Sequence, residues 1–223
     1  MARTARDPVE HHETRGRPRI RQDDEILVAA LRAFADQGFD AMSLRSLNSQ
    51  LGLSHGTISQ RFGTKQRLYF AAVDLGFTSF LANISDRRRL ALSTIDAPDD
   101  LADLRATIRA FLGAAMLRPE LGRLMNHEGL YPTVRPQYIV EHVMEPVIAS
   151  MSELLVRPRE AGRVRPVTAR ALFFLVTHGG EGPFALTASS GAFDSVDGPL
   201  DPQQHADDVT DLLMRRITLD TGA

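Results

Sequence analysis

From about Asp23 to the end of the chain, apolar residues recur at intervals of three and four, the spacing that gathers them on one face of an α-helix. Leu27, Ala30, Leu31 and Phe34 form such a stripe behind Asp23, Asp24 and Glu25, acids that favour the positive end of a helix dipole, and Gly38 supplies the stop. A second helix is predicted from Ser43, a good N-cap, with Leu44, Leu47 and Leu51 inward until Gly52 breaks it. Ser54 is the expected cap of a third, very short helix ending near Arg61, and Thr64 that of a fourth with Leu68, Ala72 and Leu75 on one face. Further on, Leu101, Leu104, Ile108, Phe111 and Leu112 mark an amphipathic helix, followed by a short segment over Pro119–Asn126. A longer one runs from about Gln137 to Leu155 with Ile139, Val143, Val147, Met151 and Leu154 inward, kinked or divided at Pro146. Ala169–Leu186 is apolar nearly all round, a loop follows over Ser189–Pro202, and a helix from about Gln203 to Ile217 closes the pattern. Nothing alternates as a strand would and nothing repeats, so the expected fold is all-α with about nine helices.

Composition narrows the classes. The chain has 223 residues, 43% of them hydrophobic, enough to bury a core without staples. It contains no cysteine, which excludes a disulfide framework, a thiolate metal site and a cysteine nucleophile. No apolar run approaches the ~18–20 residues of a membrane span, and no apolar segment follows the first arginines, so a cytoplasmic protein without membrane contact is expected. Charge is uneven: residues 1–70 hold 11 Lys and Arg against 8 Asp and Glu, the remainder 15 against 20. A basic end on an acidic body suits a polyanion-binding head on a non-binding body. The first 20 residues lack periodicity and end in Arg15-Gly16-Arg17-Pro18-Arg19, read as a flexible, extended basic arm.

Residues 43–62, a capped helix, a glycine turn and a second short helix, form a helix-turn-helix pattern. In that motif the second helix enters the major groove and its first residues reach base edges. Ser54, His55, Gly56, Thr57, Ser59, Gln60 and Arg61 are small or polar, with only Ile58 and Phe62 left to anchor the helix to those beneath. The pattern is more specific than a bare helix-turn-helix. It includes Ile26-Leu27-x-Ala29-Ala30 with Phe34 and Gly38, then Ser43, Arg45 and Leu47. Leu51-Gly52-Leu53-Ser54-x-Gly56-Thr57-Ile58 follows across the turn, then Phe62-Gly63-Thr64-Lys65-x-x-Leu68. On these residues the stretch from about Arg19 to Val73 resembles the DNA-binding domain of tetracycline-repressor (TetR) type transcriptional regulators. It departs from the family at Ser59, where an aromatic ring is usual, at Asn48, usually a small alanine, and at Gln66, commonly acidic.

Roles follow from chemistry. Thr64 and Lys65, at a helix start, suit phosphate contact, and Lys65 is the only lysine in the chain. Gln60, His55 and Thr57 are candidate base readers; Arg45 is placed for phosphate or base, and Arg17 and Arg19 for an adjacent minor groove. Ser43, Ser54, Gly56, Ser59 and Arg61 complete the expected DNA-binding face.

The resemblance implies a flexible arm over 1–20, a helix-turn-helix domain over 21–67, and a ligand-binding and dimerisation domain over 68–223. It further implies a homodimer joined through the last two long helices, double-stranded operator DNA as partner, and a small-molecule effector that releases a repressor from a palindromic operator. Gly179, Gly180 and Gly182, costly inside a helix, are consistent with close helix approach there. Candidate ligand-binding residues are Arg123, His127, Tyr131, Tyr138, Phe173, Phe174 and His178, the aromatic and polar groups spread over the body helices. The competing reading is a helical small-molecule or metal-dependent enzyme with a non-functional reading head. His127-Glu128 and His142 do not form a known metal spacing, and no nucleophile motif, phosphate loop or paired carboxylates occur, so no cofactor and no catalysis are expected.

Overall fold

The structure, a computed structural model, describes residues 22–130 and 132–219; Arg17, Arg19 and Tyr131 lie outside them. The described residues fold into helices joined by short turns. The head comprises α1 (Asp23–Ala41), α2 (Leu44–Gln50) and α3 (Thr57–Phe62), and α4 (Lys65–Ser93) leads out of it. The body adds α5 (Asp100–Ala115), α6 (Pro119–Glu128), α7 (Val134–Ile139), α8 (Glu145–Glu160), α9 (Ala169–Phe174) and α10 (Gly182–Ala185). Two single turns, α11 (Thr187–Ser190) and α12 (Asp194–Asp197), precede α13 (Pro202–Ile217). The only β pairing among the described residues is an isolated antiparallel bridge between Val164 and Thr218.

Several boundaries differ from those expected, each for a local reason. Gly38 stops the regular helix with φ 76°, although the chain stays coiled to Ala41. Ser54 does not cap α3. Its hydroxyl lies 2.7 Å from that of Thr57 inside the turn, and Gly56, at φ 85°, takes the N-cap position instead. Ser43 and Thr64 do cap, accepting from the backbone N–H of Ser46 and Arg67. At Pro146 the chain is divided as expected, with the proline in the first turn of α8. A π-turn over Val140–Met144 absorbs the missing N–H, and Leu155 rather than Leu154 becomes the fully buried residue. The apolar stretch 169–186 is divided by a second π-turn, Leu175–Gly180. These divisions, with the single turns inside the expected loop 189–202, raise the number of separate segments above nine. One composition-level expectation is corrected: α4, at 29 residues, is long and apolar enough to cross a membrane. It is instead packed against α1 and α5, with Leu68, Tyr69, Ala72, Val73, Phe77 and Phe80 buried.

Two hydrophobic clusters hold the molecule together. The first joins α1 to α4 with Leu121 and Leu124 of α6, Ile139 of α7 and Phe184 of α10, so head and near body share one core and the 67/68 boundary falls within α4. The second packs Leu104, Ile108 and Leu112 of α5 against Leu155, Leu172, Val176, Ala206, Met214 and Ile217. Within the subunit, a Cβ at Gly180 would lie 2.7 Å from Leu112, whereas Gly179 and Gly182 face open space.

Candidate functional site

The head is built around a buried carboxamide. Asn48 Nδ2 donates to the Leu44 carbonyl at 2.9 Å, and its Oδ1 accepts from the Ile58 backbone N–H at 3.2 Å. It therefore ties α2 to the first turn of α3 and satisfies a buried donor there. Ile58, fully buried, is the one side chain of α3 committed wholly to the core. Around it His55, Ser59, Gln60 and Arg61 are exposed, as are Ser43 and Arg45 on α2's leading end. Thr57 is half-buried and donates back to the Ser54 carbonyl at 2.9 Å. Arg61 pairs with Asp23 at 3.1 Å, fastening α3 to the start of α1. Lys65, half-buried, donates to the Asp40 carbonyl at 3.1 Å and stands 4.8 Å above the Phe39 ring.

The body encloses a cavity of about 1510 Å³, bounded by α4 to α10. Phe77, Phe80, Phe111, Leu121, Val143 and Met144 form its apolar wall, while exposed Leu130, Val134, Phe174 and Leu186 mark its mouth. Of the expected ligand residues, Phe173, Phe174 and His178 line it. Arg123, His127 and Tyr138 do not. Arg123 pairs with Asp36 of α1 at 2.9 Å, and His127 lies against Gly38, 3.4 Å from where a Cβ would stand. Tyr138 donates to Asp74 of α4 at 2.8 Å and stacks between Phe70 and His142. Burial, then this carboxylate, pushes the Tyr138 phenol up to about 12 and keeps it a donor.

The three residues thus belong to a joint between body and head. Beside them Arg135 donates to both oxygens of buried Glu128, at 2.9 and 3.0 Å, and lies 4.2 Å from the centre of the Phe39 ring. Phe39 is therefore flanked by two cations, Arg135 from the body and Lys65 from the start of α4. Neither Asn48's bonding role nor this Glu128–Arg135 pair was legible in the sequence, whereas Glu181 stood out there as a metal-capable residue suited to the pocket wall. Glu181 lines the cavity and is only 7% exposed, and burial raises its carboxyl to about 7. Its signal was legible: a lone acid inside an apolar, glycine-flanked stretch. Among the described residues no group of three or more His, Asp or Glu is placed to hold a metal ion.

Residues 26–72 match the sequence profile of bacterial regulatory proteins of the tetR family. The chain is 29% identical over 94 residues to the HTH-type transcriptional activator FasR of Mycolicibacterium smegmatis, a match spanning 42% of this chain and 40% of that relative. Its fold is similar to that of the ketosteroid transcriptional regulator KstR2 of Mycobacterium tuberculosis, with TM-score 0.63, 17% identity and coverage of 91% and 98% of the two chains. It is likewise similar to the fatty acid degradation regulator FadR from Bacillus halodurans, with TM-score 0.60, 18% identity and coverage of 86% and 98%.

Proposed function

We propose that this chain, whose residues 26–72 match the profile of bacterial regulatory proteins of the tetR family, is a DNA-binding transcriptional regulator whose hold on its operator falls when the body cavity fills. The observation that carries the reading is α3 itself: six residues, one of them fully buried, presenting Ser59, Gln60 and Arg61 outward beside His55. A helix with so little packing surface is positioned for what it faces, and base edges of a major groove match its polar groups. Lys65, Thr64 and Arg45 flank it for phosphate contact, with Ser43, Ser54, Gly56 and Thr57 along the rim, and Arg17 and Arg19 of the amino-terminal segment are assigned to the adjacent minor groove.

The effector is a largely apolar molecule. The cavity wall supports this, as do two proteins of similar fold, a ketosteroid regulator and a fatty acid degradation regulator. Filling the cavity acts on DNA through α6 and α7. Arg123, His127 and Arg135 bear on Asp36, Gly38 and Phe39 at the end of α1, and Phe39 in turn supports Lys65. An effector shifts DNA affinity only insofar as it binds the two arrangements of this joint unequally.

Fluorescence anisotropy with the DNA beside the protein's own gene tests the reading. Wild-type protein is expected to bind that fragment more tightly than scrambled DNA of equal length. Lys65→Ala is expected to weaken binding to both and to reduce the salt slope by about one unit. Equal affinity for the two DNAs overturns specific regulation, and an unchanged slope removes the phosphate role of Lys65.

A further inference from the structure

Among the described residues that line the cavity there are three carboxylates, Glu141, Glu145 and Glu181, and neither a lysine nor an arginine. Glu141 and Glu145 are exposed, and Glu141 accepts from Gln137 at 2.9 Å. Glu181 differs from both. It is more than nine-tenths buried, lies in the wall between α6 and α10, and its carboxylate has no hydrogen-bond or ionic partner among the described residues. Its Oε1 sits so close over Gly122 of α6 that a Cβ there would be 2.0 Å away, so the glycine is what makes room for the carboxylate.

An unpaired carboxylate in an apolar wall is a costly arrangement, because burial takes away most of its water and no protein group replaces it. We propose that the cavity accepts an apolar molecule bearing a protonated amine, with the Glu181 carboxylate as its counter-charge. The proposal rests on the cavity being the effector site and names the chemistry of what enters it. An ammonium supplies both the missing charge and the missing donors, in a charge-assisted bond formed away from water. A fatty carboxylate does the opposite, bringing a second negative charge to a wall that already carries three acids and no fixed cation. The titration agrees: burial alone holds the Glu181 carboxyl at about 7, and no neighbouring cation draws it down. Because Glu181 rests on Gly122, the amine also engages α6, the helix that bears on α1 through Arg123 and His127. The exposed Glu141 and Glu145 give the mouth the same sign.

The experiment is calorimetric titration of the full-length chain with three probes of one tail length: decylamine, 1-decanol and decanoate. Decylamine is expected to bind at least about ten-fold more tightly than either of the others, the scale of one buried hydrogen bond to a charged group. In Glu181→Gln, nearly isosteric and neutral, that preference is expected to fall to within about two-fold, while 1-decanol binds as in the wild type and shows the cavity intact. Any other affinity order, or an amine preference that survives Glu181→Gln, overturns the assignment of amine chemistry and leaves the effector-site reading standing. Failure of all three probes to bind overturns the effector-site reading itself, and the proposal with it.

Discussion

At the scale of single residues, two buried polar groups play opposite parts. Asn48 is fully satisfied, and its Oδ1 is the acceptor for the buried Ile58 N–H. Asn48→Ala is expected to destabilise the chain by about 1–3 kcal/mol, the cost of leaving that donor unmet, even though alanine has the better helix propensity. Urea unfolding measures this, and a neutral or stabilising result shows that the carboxamide does not hold the turn. Glu181 is unsatisfied, and its burial favours the protonated form, raising the carboxyl from 4.5 to about 7. The folded state therefore holds the proton more firmly than the unfolded chain does. The stability this gives is complete below about pH 4.5 and is lost as pH rises through about 7, reaching about 3 kcal/mol. Glu181→Gln lacks this dependence, so the stability difference between variant and wild type is expected to grow in the variant's favour over that window. Thermal unfolding at a series of pH values follows it, and a constant difference contradicts the burial of an unpaired acid.

At the scale of elements, the head was the most legible part of the chain and the body the least. Ser43, Thr64, Gly38 and Ile58 act through neighbours three or four residues away, so their roles are written in local spacing. Ser54 was misread as a cap because its hydroxyl has a choice of partners, and the one it takes, Thr57, is equally local. In the body, Phe173 and His178 reach the cavity, whereas Arg123 and His127, equally suitable by chemistry, face α1. No periodicity distinguishes these cases, since which side of α6 meets the cavity is decided by how α6 crosses α1. The misplaced pair lies in the joint proposed to couple cavity and head. Arg123→Ala removes a partly exposed ion pair, so its effect on stability is expected to stay near or below about 1 kcal/mol. The usual scale of coupling between two sites is about 1–3 kcal/mol, or ~5–150-fold in DNA affinity. The variant is expected to reduce that coupling while leaving ligand-free DNA binding intact. DNA affinity measured with and without a saturating decyl probe tests it, and undiminished coupling places the transmission elsewhere.

At the scale of the whole molecule, reading a palindrome needs two heads, and half-sites lie about 34–36 Å apart or at multiples of that distance. The surface we propose for a partner subunit is the far side of the second cluster, where Leu212 of α13 is 69% exposed and Phe193 and Val196 stand out from the preceding turns. Arg105 and Arg109 of α5 pair with Asp211 and Asp207 of α13, holding that helix so that Leu212 points outward. Sedimentation without DNA is expected to give twice the 24.6 kDa chain at micromolar concentration, and Leu212→Asp to shift the balance to the monomer. A wild-type monomer defeats this. The two π-turns, Val140–Met144 and Leu175–Gly180, both border the cavity, and each amounts to one residue more than a regular helix needs. A turn of this kind takes up its extra residue locally, so deleting that residue restores the regular helix and changes the cavity wall at the turn while the flanking turns keep their facing. In descent, then, pocket shape here is open to change by insertion and deletion as well as by substitution. A lineage gaining or losing one codon at either turn acquires a differently shaped chamber behind the same reading head.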